Sequence, residues 1–153
     1  MPETIAEILT AYRSGTATPA DIVARSFARI RAHNDPAIFI TLREEEDVAS
    51  EAQALMRSAG TALPLYGIPV AVKDNIDVEG LPTTAGCPAF RYDADNDATA
   101  VARLRAAGAL ILGKTNLDQF ATGLVGVRTP YGIVRNPFDP KLIPGGSSTG
   151  SAI

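Results

Sequence analysis

Hydrophobic spacing divides the chain into a helical first third and a more strand-like remainder. Residues 4–14 place Ile5, Ile8, Leu9 and Tyr12 at helical spacing and then meet Ser14-Gly15, a stop signal, so they predict a short surface helix. A second helix is expected from Thr18-Pro19, where Thr18 can cap and Pro19 fits the first turn. It carries Ile22, Val23, Ser26, Phe27 and Ile30 along one face and ends near His33-Asn34-Asp35-Pro36. Residues 37–42 are short, apolar and β-branched enough for a buried strand. Residues 43–59, rich in Glu and Ala, predict a third helix ending at Gly60.

The texture then changes. Residues 65–72, Leu-Tyr-Gly-Ile-Pro-Val-Ala-Val, form a strand-like run leading into the polar turn Lys73-Asp74-Asn75, and glycine and proline are frequent up to residue 90. After Asp97, which can cap a helix, Val101, Leu104 and Arg105 continue a helical pattern to Gly108, and residues 109–112, Ala-Leu-Ile-Leu, give an apolar strand. Residues 121–151 are rich in Gly, Pro, Ser and Thr with little periodicity, and an irregular stretch of that length is usually functional. Helices alternating with buried strands predict an α/β fold with a largely parallel or mixed sheet covered by helices on both faces.

Composition narrows the partners. The 153 residues are 46% apolar and 20% charged, the range of one soluble globular domain. A net charge of -3, with no Lys/Arg cluster longer than two residues, gives no field for gripping phosphates, so neither nucleic acid nor an anionic membrane is an expected partner. The apolar stretch 106–113 is far short of the roughly 20 residues a bilayer span needs, and the first residues show no basic flank before an apolar core. A cytoplasmic location is expected. The single Cys87 cannot form an internal disulfide and reads as a small residue in or near a core. His33 reads as a surface or capping residue, and the acidic run at residues 44–47 as a solvated helix face. No His/Cys set has ligand spacing, so neither a metal nor a cofactor is expected.

Two segments could carry chemistry. In residues 144–151, Pro-Gly-Gly-Ser-Ser-Thr-Gly-Ser, glycines let backbone approach a ligand while hydroxyls and N–H groups surround it. The segment lacks the Gly-Lys-Ser/Thr ending of a phosphate loop. It satisfies G-x-S-x-G, but Pro137, Pro140 and Pro144 stand where a nucleophile elbow needs a buried strand. Taken alone it reads as a loop. The second segment puts Lys73 at the end of a predicted buried strand, where burial would favour the neutral amine and make it a base. Lys114, after the apolar strand ending at Gly113, has an equal claim on spacing.

Four separated motifs nevertheless resemble the amidase-signature family in order and spacing. These are residues 67–77 (Gly-Ile-Pro-Val-Ala-Val-Lys-Asp-Asn-Ile-Asp), 113–120 (Gly-Lys-Thr-Asn-Leu-Asp-Gln-Phe), 135–138 (Arg-Asn-Pro-Phe) and 145–152 (Gly-Gly-Ser-Ser-Thr-Gly-Ser-Ala). The match covers about residues 60 to 153. The resemblance implies a Ser-Ser-Lys triad, in which Lys73 matches the basic lysine and Ser147 the bridging serine after a cis peptide. It implies a nucleophilic serine downstream of Ser147, absent from this sequence, and turn N–H groups forming an oxyanion hole. On that basis the chain is expected to be the amino-terminal portion of one amidase-signature domain, with a helical lead-in over 1–60 and a signature-containing core over 61–153. Triad chemistry needs no metal: the lysine draws a proton through the bridging hydroxyl and returns it to the leaving nitrogen.

Within the family, residues 81–90 and 116–124 are similar to allophanate hydrolases, which break down carboxylated urea to ammonia and carbon dioxide. Gln119 and Thr122 stand where the A subunit of tRNA-dependent amidotransferases usually has an acidic residue and methionine; that subunit is the alternative, and a non-catalytic scaffold a third reading. The resemblance places Thr122, Gly123 and Ser148 on the substrate side, where Gly123 would leave room for a small carboxylate-bearing amide. A homodimer of the full-length enzyme is a further expectation.

Overall fold

The computed structural model describes residues 3–58 and 62–153. Its described residues form a mixed α/β fold with element order α1 (Ile5–Ser14), α2 (Pro19–His33), β1 (Phe39–Leu42), α3 (Glu45–Ser58), β2 (Pro69–Lys73), β3 (Pro82–Thr83), β4 (Tyr92–Asp93), α4 (Thr99–Ala106) and β5 (Leu110–Thr115). Three strands are ordered β1-β5-β2, and β3 pairs antiparallel with β4. β1 runs antiparallel to β5, with Thr41 opposite Lys114 and Leu42 opposite Gly113. Beside β2, Leu110 N–H donates to Ile68 C=O and Asp74 N–H to Thr115 C=O. Partners that advance together along both segments mark a parallel pair, so the sheet is mixed.

The chain groups into two compact units, each discontinuous in sequence. The first comprises Met1–His33, Arg43–Val70 and Ala102–Leu112. Here α1 opens with a capping box: Glu7 N–H donates to Thr4 Oγ1, and the Glu7 carboxylate accepts from Thr4 N–H. It closes on Gly15 at φ 72°, the left-handed cap for which glycine has no side-chain penalty. Thr18 and Asp21 make the same reciprocal pair at the start of α2, with Pro19 in the first turn. Val23 and Phe27 of α2, Val48 and Ala52 of α3, and Leu110 and Leu112 of β5 bury against one another. A second cluster joins Ile8, Tyr12 and Ile22 to Tyr66 and Ile68, and Tyr12 Oη donates to Gly67 C=O at 2.9 Å. Each of the large side chains contributes roughly 1.5–3 kcal/mol on burial.

The second unit comprises Asn34–Leu42, Ala71–Val101 and Gly113–Ile153. Its long segment after β5 is irregular apart from short 3₁₀ turns at Gln119–Ala121 and Thr149–Ser151, as its lack of periodicity predicts. Buried polar groups order it instead. Asn116 donates to Ala37 and Gly132 carbonyls and accepts from Leu117 N–H and Thr129 Oγ1. Gly150 packs directly on the residue before β1, where a Cβ would stand 2.2 Å from Ile38 C=O.

Three sequence expectations shift. The strand expected over 65–72 begins only at Pro69, because residues 65–68 turn through Gly67 at φ 66°. The strand expected over 37–42 is Phe39–Leu42, and it is only half-buried because it lies at the sheet edge. The apolar strand continues beyond Leu112 through Gly113, Lys114 and Thr115, all buried. The third helix is Glu45–Ser58; its expected end at Gly60 lies outside the described residues.

Candidate active site

β2 delivers Lys73 to the end of the sheet, where the chain turns through Asp74 and Asn75. The Lys73 side chain is partly buried, and its Nζ donates to Ser147 Oγ at 2.8 Å. Ser147 follows a cis Gly146–Ser147 peptide, the bond the motif resemblance implies there. Burial disfavours the ammonium and pushes Lys73 below the ordinary lysine value, while the Asp118 charge acts in the opposite direction. When Lys73 is neutral, the same contact can reverse: Ser147 Oγ–H donates and the amine accepts, the arrangement a proton shuttle requires.

Lys114, equal to Lys73 on spacing, has a different environment. It is fully buried and donates to Pro82 C=O at 2.9 Å and Thr83 Oγ1 at 3.0 Å. Asp74 Oδ1 lies 3.4 Å away, with both side chains wholly enclosed. This ion pair lacks hydrogen-bond geometry at Oδ1, whereas Asp74 Oδ2 accepts from Thr84 N–H at 2.9 Å and Thr84 Oγ1 at 2.5 Å. Burial pushes Lys114 downward and Asp74 opposes it. Its ammonium is thus occupied by a buried carboxylate and two oxygens, whereas Lys73 meets a serine hydroxyl.

The Ser147 turn is held from several sides. Asp118 N–H donates to Ser147 C=O at 2.9 Å, Gly146 N–H to Leu124 C=O at 3.0 Å, and Thr149 Oγ1 to Gly145 C=O at 2.9 Å. Gly150 N–H donates to Asn116 C=O, tying the turn to the segment after β5. Ser148 is exposed, and its carbonyl accepts from Ser151 N–H at 3.1 Å. Thr122 is also exposed; its Oγ1 donates to Gln119 C=O, and it lines an open depression of about 490 Å³ with Gln119, Arg128, Thr129 and Pro130. Gly123 is buried, and a Cβ there would stand 2.4 Å from the Asp118 carboxylate. The room this glycine leaves is therefore filled by Asp118.

Sequence reading missed Asp118, Asn116 and Asp74. All three are fully buried; Asp74 and Asn116 directly follow strands, and that position next to an apolar run is the signal that could have found them, whereas Asp118 lies in the irregular segment beyond β5. Cys87 is half-buried and His33 exposed.

At this site a lysine at a strand end meets a serine within a Gly/Ser turn. Residues 21–153 match the Amidase family, and the chain belongs to it. It is 56% identical over 122 residues to the urea amidolyase of Lachancea kluyveri, a match covering 79% of this chain and 7% of that protein. It is 42% identical over 147 residues to the glutamyl-tRNA(Gln) amidotransferase A subunit of Symbiobacterium thermophilum, covering 92% of this chain and 30% of that one. The structure superposes on that of Kluyveromyces lactis allophanate hydrolase with a TM-score of 0.83 and 42% identity, over 99% of this chain and 25% of that one. The chain thus spans under a third of the length of each of these proteins.

Proposed function

We propose that this chain provides the base and bridging serine of a Ser-Ser-Lys amidase whose substrate is allophanate. The 2.8 Å contact between Lys73 Nζ and Ser147 Oγ carries this reading. Neutral Lys73 takes the Ser147 proton as Ser147 takes one from the nucleophilic serine, which the family pattern puts downstream of Ser147 and outside this sequence. The nucleophile attacks the substrate carbonyl, and the proton returns through Ser147 to the leaving nitrogen. Ammonia departs, water opens the acyl-enzyme, and the carbamate products decompose to ammonia and carbon dioxide. N–H donors at the developing oxyanion complete the chemistry.

The similarity to a urea amidolyase and to an allophanate hydrolase supports allophanate as the substrate, and the family resemblance assigns Thr122, the Gly123 backbone and Ser148 to its binding side. The match to amidotransferase A subunits supports a second reading, the A subunit of a tRNA-dependent amidotransferase. Gln119 and Thr122, in place of an acidic residue and methionine, favour the first. Ammonia release by the complete protein separates them. Turnover of allophanate but not glutamine is expected; turnover of glutamine alone would move the assignment to the amidotransferase, and turnover of neither to a non-catalytic scaffold.

A further inference from the structure

Asp118 has no exposed surface, and its contacts converge on the turn that carries Ser147. Oδ1 accepts from Arg128 N–H at 2.8 Å and Oδ2 from Gly126 N–H at 3.0 Å, while the backbone N–H of Asp118 donates to Ser147 C=O at 2.9 Å. Backbone also packs directly onto the carboxylate. A Cβ on Gly146 would stand 2.2 Å from Oδ2, and one on Gly123 2.4 Å from it. Gly126 closes the same space: its Cβ would lie 2.2 Å from Gly145 C=O and 2.3 Å from Thr149 Oγ1.

Burying a carboxylate is costly unless donors satisfy it. A neutral asparagine would hold one of the two N–H groups and turn its own NH₂ toward the other, so an acid suits this turn better than its amide.

We propose that Asp118 is the positioning residue of the candidate site: it clamps the Gly146–Ser147 peptide so that Ser147 Oγ meets Lys73. The proposal rests on the reading of Lys73 as the base. Burial drives Lys73 toward the amine, and the Asp118 charge acts in the opposite direction. Neighbouring charges are otherwise engaged: Asp74 faces Lys114 and Thr84, and Arg128 directs its guanidinium to Thr122 C=O.

Competitive acetylation of the full chain across pH, read by mass spectrometry, tests this without turnover. The lysines are Lys73, Lys114 and Lys141; exposed Lys141 is the reference and buried Lys114 reports folding. In Asp118→Asn the Lys73 midpoint is expected to fall, because a charge favouring the ammonium is gone, while Lys114 stays protected. A midpoint that holds still, or rises toward that of Lys141, with Lys114 still protected, overturns the proposal. If Lys114 loses protection, the variant has unfolded and amide exchange in the unaltered chain decides. Slow exchange at Gly126 and Arg128 supports the clamp, and exchange at free-peptide rates overturns it. Coincident Lys73 and Lys141 midpoints in the unaltered chain would instead remove the base itself.

Discussion

Lys73 Nζ and Ser147 Oγ stand 2.8 Å apart although 74 residues separate them in the chain. The contact couples a strand end, where burial favours a neutral amine, to a glycine-rich turn whose hydroxyl can pass a proton onward. Charge alone does not suffice for this role, because a guanidinium keeps its proton throughout the accessible pH range. In the complete protein, Lys73→Arg is expected to lower kcat/KM by about 10²–10⁴-fold, the contribution of a positioned general base. The unaltered enzyme should gain activity with rising pH, its acid limb lying below 10.5, the ordinary lysine value, because the neutral form is active and burial lowers the midpoint. A pH–rate profile checks both.

Lys114 and Asp74 contribute to stability through each other. Lys114→Met leaves the Asp74 carboxylate enclosed without its cation, which costs about 3–5 kcal/mol for a buried pair. Pairing that change with Asp74→Asn should recover much of the loss. Chemical denaturation of the three variants gives the coupling, and a single-variant loss under about 1 kcal/mol, typical of exposed pairs, contradicts the buried-pair description.

Tyr12 predicts a fall in stability at alkaline pH. Burial raises its phenol above the ordinary value of 10. Above about pH 10 the unfolded chain gives up this proton while the folded chain keeps it, so the folded state binds more protons and stability falls as pH rises. Tyr12→Phe should flatten that fall. Near neutral pH it should cost about 1–3 kcal/mol, because Gly67 C=O loses its buried donor. Urea titrations at neutral and alkaline pH measure both effects.

Gly113 allows β1 and β5 to approach. A Cβ there would lie 2.2 Å from Thr41 C=O, inside backbone that cannot rotate away. Gly113→Ala is expected to cost at least about 1–3 kcal/mol and to speed amide exchange along β1. Unchanged melting and exchange would contradict the observed register.

The helices were legible because local chemistry determines them: Thr18 with Pro19 starts α2, and Gly15 stops α1. β5 was legible only through Leu112, since Lys114 reads as polar until Asp74, distant in sequence, neutralises it. The strand before Lys73 was placed too early because Tyr66 and Gly67 are apolar enough for a strand yet lie in a turn. At the site, spacing left Lys73 and Lys114 equal, and the motif resemblance selected Lys73. Asp118 escaped notice because its partners are backbone N–H groups of an irregular segment, which leave no side-chain pattern to read.

Ammonia release from allophanate, compared between the complete protein and its Lys73→Ala variant, reads the Lys73–Ser147 chemistry itself. Steady turnover that disappears in the variant, while Lys114 stays protected from acetylation, is the predicted result. Allophanate hydrolysis that persists at a substantial rate without Lys73 would contradict the triad.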